Sequence, residues 1–266
     1  MANQSRAALE SVLRSRKLDV TLTTALPPLE RLDGAARVAT GIEQVDETLR
    51  GGLRRGSLSE IVGAHSSGRT TVLLSLIAAA TRRGEIAALI DTSDRFDVAS
   101  AGAAGIDLSR LLWVRGHPAG AAGGEAVFER TVGRALKALN LVLQAGGFGV
   151  VAIDLVDVPA GTLQRMPPAT WLRVQRAIEG SETACVIVAS QSLGRGVDGV
   201  TLALGGSATT ARWVGPTGRS CLLGGIDITG RVVSPRQRAE GMFAVASAVP
   251  GIVGKDEGHV WCALRG

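Results

Sequence analysis

One eight-residue stretch constrains this chain more than any other. Gly63-Ala64-His65-Ser66-Ser67-Gly68-Arg69-Thr70 follows an apolar run at 58–62 that reads as a buried strand. It opens a helical pattern over 70–82. Strand, glycine-framed loop and helix is the context a P-loop requires. Glycines at both ends let the backbone wrap a phosphate, and the amide N–H groups with the helix N-terminus supply partial positive charge. The candidate phosphate contacts are Gly63, Ser66, Ser67, Gly68, Arg69, Thr70 and Thr71. Thr70 is placed to offer a hydroxyl to Mg²⁺.

Arg69 stands where such loops carry lysine. A lysine ammonium reaches the β- and γ-phosphates as a point charge, whereas a guanidinium is a bulkier planar fork. The expectation is ATP/Mg²⁺ binding that is weakened or lost, and hydrolysis reduced by orders of magnitude. A loop kept only for its shape is the other reading.

The elements around the loop alternate. Strands are expected at 86–90, 111–115, 150–153 and 185–189, with helices at 44–49, 98–103, 125–145 and 169–180. This spacing predicts an α/β fold, a mostly parallel sheet with helices on both faces. After Gly194 short apolar segments near 200–204, 210–214, 221–228 and 231–233 suggest an antiparallel C-terminal extension. The chain divides into a helix at 4–17 with a Pro-Pro linker (1–36), a core (37–235) and a weakly patterned tail (236–266). The N-terminal helix is amphipathic, with Ala8, Leu9, Val12 and Leu13 on one face, and is read as an interaction arm or as a piece that folds back on its own core.

Composition narrows the function classes. The 266 residues are 45% hydrophobic, enough for one substantial core. No apolar run reaches the roughly 18 residues of a membrane span, so a membrane partner is not expected and a cytoplasmic location is the default. Cys185, Cys221 and Cys262, like His65, His117 and His259, are scattered, which argues against disulfide or zinc sites. The net charge of +5 permits a polyanionic partner without requiring one. Tyrosine is absent and aromatics make up only 3%, so base-stacking platforms are scarce.

Several ordered motifs carry a resemblance. The stretch 39–91 resembles the opening of the bacterial RecA core: a Gly-Gly-Leu-x-x-Gly lead-in (Gly51 to Gly56), strand, P-loop, helix and a second strand ending in Asp91. GIDLSRLLWVRG (105–116) matches the next RecA element, VVAIDLVDV (150–158) the Walker B strand ending at Asp154, and VIVASQSL (186–193) the motif ending in Gln191. The resemblance implies a RecA-like P-loop NTPase core over about 37–215. Asp154 is then the carboxylate that orders Mg²⁺, unless it only caps the following turn. Gln191 senses the γ-phosphate. Segments 157–168 and 192–208 match RecA's two DNA-binding loops, where Arg165 and Arg195 are candidate contacts to single-stranded DNA, or else ordinary surface loops.

By register Ser93 occupies the place of RecA's water-activating acid, and serine cannot act as that base. Asp91 and Asp94 are the nearby carboxylates that could stand in for it. A short, catalytically degraded RecA-like chain resembles the ImuA family, accessories of DNA-damage-induced (SOS) mutagenic translesion synthesis. That resemblance implies a scaffold contacting a Y-family-like polymerase homologue, an error-prone polymerase subunit and RecA. The alternative is an active DNA-dependent ATPase of recombination and repair.

Overall fold

Strands covered by helices on both faces are apolar along nearly their whole length, and the central strands here follow that rule. The computed structural model describes residues 37–117, 124–193, 199–205, 210–214, 222–233, 241–248 and 262–263. β1 (Arg37–Val38) and β2 (Leu53–Arg54) make a small antiparallel pair around α1 (Glu43–Thr48). β3 (Leu58–Gly63) leads through the glycine loop into α2 (Arg69–Arg82). Then come β4 (Ile86–Asp91), α3 (Val98–Ala103), a 3₁₀ turn (Leu108–Arg110), β5 (Leu111–Arg115) and α4 (Glu125–Ala145). They are followed by β6 (Phe148–Asp154), α5 (Ala160–Gln164), α6 (Pro168–Ile178) and β7 (Ala184–Ala189). The remaining described strands are β8 (Thr201–Leu204), β9 (Thr210–Val214), β10 (Leu222–Val233), β11 (Gly241–Ala248) and β12 (Cys262–Ala263).

Among the described residues these strands build one ten-stranded sheet in the order β12-β11-β10-β8-β3-β7-β6-β4-β5, with β9 beside the first half of β10. The chain leaves β3 for the far edge at β4 and β5, then returns through β6 and β7 to lie beside β3 again. All of these pairings are parallel. The C-terminal ends of β3, β6 and β7 therefore open on one crevice, where open α/β sheets bind ligands.

Two apolar layers sandwich the sheet. One holds Ile61, Leu76, Ile77, Leu89 and Val186, and α2 lies in it buried from Val72 to Thr81. The other packs α4 and α6 through Leu139, Trp171 and Ile178 against Leu58, Ile153 and Ile187. On α4 the buried positions, Val132, Ala135, Leu136, Leu139, Val142 and Leu143, recur at three- and four-residue steps, as one helical face demands.

The expected α/β architecture is present, with four differences. β8 runs parallel to β3, so the antiparallel extension begins only at β10. The segments near 221–228 and 231–233 are one strand, continuous through Gly230, whose missing side chain makes room for the Phe243 ring on β11. The stretch 236–266 contributes β11 and β12 to the main sheet. α5 falls within 157–168, which had been read as a loop. The helix at 4–17 and its linker lie outside the described residues.

Candidate functional site

The loop after β3 is held in a conformation that few residues tolerate. Ser66 (φ 59°) and Gly68 (φ 88°) are left-handed. A Cβ at Gly63 would strike Ser67 and the carbonyl of Leu204, and one at Gly68 would strike Ile228 of β10. The cradle is thus closed from the side by β8 and β10.

Inside it, two buried donors are unsatisfied. Ser67 and Arg69 are 4% and 5% exposed, and neither Ser67 Oγ nor Arg69 Nη1 has a hydrogen-bond partner. Burial pulls the guanidinium below its ordinary pKa, and the charges of Asp154 and Asp157 oppose that. Thr70 is exposed at the helix start and Thr71 is partly buried.

Asp154 ends β6, directly opposite Asp91 on β4 and Val188 on β7. Its Oδ1 accepts from the Val156 amide at 2.9 Å, so it does cap the following turn. Burial, with smaller contributions from Asp91 and Asp157, pushes its pKa up to about 6 despite that bond and Arg69. Gln191 lies exposed just past β7.

The stand-ins for the missing base are both engaged. Asp91 is buried and accepts from the Ser93 amide (3.2 Å), the Phe96 amide (2.8 Å) and Trp113 Nε1 (3.3 Å). Asp94 is bound by the fork of Arg115 at 2.8 Å on both oxygens, while that guanidinium also stacks on Trp113. These bonds tie Asp91 to its own turn and to β5, and Asp94 to β5. Ser93 itself is partly buried. Arg165 is ion-paired with Glu125, both more than half exposed, and Arg195 lies outside the described residues.

Glu60 was missed from the sequence. It sits in the middle of β3, 1% exposed, and its carboxylate accepts from Ser192 Oγ (2.7 Å), the Leu193 amide (2.9 Å) and Thr201 Oγ1 (2.9 Å). The available signal was an acid inside an otherwise apolar strand, LSEIVG.

The residues present fit a nucleotide's phosphates, because two unpartnered buried donors stand at the N-terminus of α2. They fit Mg²⁺ poorly, because Asp154 Oδ1 already accepts from the Val156 amide and Asp157 is paired with Arg95. Among the described residues no group of three or more His, Cys, Asp or Glu could hold a metal ion.

Comparison with known proteins agrees with this geometry. Residues 30–159 match the RecA N-terminal domain. The chain carries a RecA-like domain. It is 30% identical over 166 residues to the protein RecA of Chlorobium chlorochromatii, covering 57% of this chain and 43% of that protein. It is 35% identical over 114 residues to the RecA of Trichodesmium erythraeum (41% and 31% covered). With the RecA of a Nostoc species it shares 43% over 75 residues (28% and 21%). The chain thus spans less than half the length of these relatives. Among its described residues no helix is long and apolar enough to cross a membrane.

Proposed function

We propose that this RecA-like chain is a catalytically degraded accessory in DNA-damage-induced (SOS) mutagenic translesion synthesis. It acts as a scaffold for a Y-family-like polymerase homologue, an error-prone polymerase subunit and RecA. The observation that carries the loss of catalysis is the occupation of both carboxylates near Ser93: Asp91 by two amides and an indole, Asp94 by Arg115. With both engaged, neither carboxylate is free to activate a water for attack on the γ-phosphate. The loop's remaining work is to hold phosphate, through Ser67, Arg69 and the α2 N-terminus.

The test is ATP turnover with and without single-stranded DNA, for the natural protein, Arg69→Lys, and Arg69→Lys with Ser93→Glu. The expected result is background turnover in the first two, with activity appearing only in the double variant. Vigorous DNA-stimulated turnover by the natural protein would instead make it the DNA-dependent ATPase. Co-purification with the two polymerase proteins tests the scaffold role directly, and failure of both to bind would remove it.

A further inference from the structure

An unsatisfied buried donor destabilises a fold, so two at one helix start call for an acceptor that arrives from outside. Ser67 Oγ and Arg69 Nη1 are such donors, each on a residue at least 95% buried. They stand at the N-terminus of α2, a 14-residue helix with no side-chain cap. Around them Ser66 and Gly68 are left-handed, and Gly63 and Gly68 are packed too closely by Ser67, Leu204 and Ile228 to carry a side chain, which fixes the loop around the two donors. An anion with several acceptor oxygens fits this set, and the forked guanidinium matches a phosphate bidentately.

Arg69 also changes which cation the site needs. Its guanidinium is a wide planar fork on the first turn of α2, able to hold two phosphate oxygens at once where a lysine offers one point charge. Asp154 and Asp157 are the carboxylates that would otherwise attract a divalent ion, and Asp154 Oδ1 is already taken by the Val156 amide at 2.9 Å. A fork that satisfies two phosphate oxygens leaves less charge for a divalent ion to neutralise. Asp157 is further engaged by Arg95 at 3.1 Å.

We infer that this P-loop binds a nucleoside di- or triphosphate without Mg²⁺, the Arg69 guanidinium taking the metal's place as the counter-charge. The inference rests on the reading of the chain as a non-hydrolysing RecA-like protein whose loop still holds phosphate. Nucleotide is then a structural ligand, held through its phosphates and indifferent to the divalent ion supply.

The experiment is titration of the full chain with mant-ADP and mant-ATP by fluorescence anisotropy, in millimolar MgCl₂ and in excess EDTA. The natural protein is expected to give dissociation constants within about twofold in the two buffers. Arg69→Lys should become metal-dependent, binding mant-ATP at least tenfold more tightly with Mg²⁺ than with EDTA. Arg69→Ala should lose at least tenfold in both buffers, with circular dichroism confirming that each variant is folded. Tenfold tightening of the natural protein by Mg²⁺ overturns the inference. So does the absence of binding in both buffers, or Arg69→Ala binding as tightly as the natural protein. These outcomes are separate from turnover: the inference can fail while the protein remains a non-hydrolysing scaffold, and hydrolysis can appear while binding remains metal-independent.

Discussion

Asp154 shows what one residue at this site costs the fold. Its carboxyl titrates near 6 because burial outweighs the Val156 amide and Arg69. A folded-state pKa above the unfolded value of 3.8 means the native protein holds a proton the unfolded chain has released. Stability therefore falls as pH rises from about 4 to about 6, and above that the penalty is complete. Two pKa units correspond to about 2.7 kcal/mol at most. Asp154→Asn keeps the oxygen that accepts from Val156 and removes the charge. It is expected to raise stability by about 1–2 kcal/mol at pH 8 and to change little at pH 4, read from urea denaturation at the two pH values. Equal effects at both would show that the carboxylate carries no burial penalty.

Among the elements, β3 does more than deliver the phosphate loop. Through Glu60 it ties the end of β7, at Ser192 and Leu193, to the start of β8 at Thr201. Both ends of the connection between β7 and β8 are thus fixed to the strand that carries the P-loop. Glu60→Ala would strand three donors and is expected to cost about 2–4 kcal/mol. Glu60→Gln keeps an acceptor and should cost less than half as much. Hydrogen exchange at the Leu193 amide, which bonds Glu60 directly, should speed up more than exchange on α4. If Glu60→Ala leaves both the midpoint and this amide unchanged, the clamp is not holding the two strands.

The whole molecule depends on strands far from the phosphate loop. β10 and β11 bury Ile228, Val232, Phe243 and Val245 in the same apolar layer as α2, and the Ala244 amide donates to Gln44 of α1 at 2.7 Å. Four such side chains contribute about 6–12 kcal/mol by burial, comparable with a whole domain's net stability. A chain cut after Gly205 is therefore expected to lose cooperative thermal unfolding. A truncated protein that melts within a few degrees of the full chain would show that these strands are an accessory layer.

The sequence by itself determined the alternating core. Apolar runs at β3, β4, β6 and β7 and the three- and four-residue spacing on α4 are local patterns, so these elements were legible within a residue or two. The glycine loop was legible for the same reason, since strand, Gly-framed turn and helix are consecutive. Tertiary structure alone decided the direction of β8, the joining of β11 to β10 and the α5 turn. Strand direction and pairing depend on partners 141 residues away in one case, Glu60 with Thr201, and short segments around glycine carry little periodicity. Tertiary structure also decided the chemistry of the site. Ser93 could be read as a lost base, but Asp91 and Asp94 look equally available in the string IDTSDRFD. Only the fold brings Trp113 and Arg115 of β5 across to occupy them, and only burial shows that Ser67 Oγ and Arg69 Nη1 have no hydrogen-bond partner.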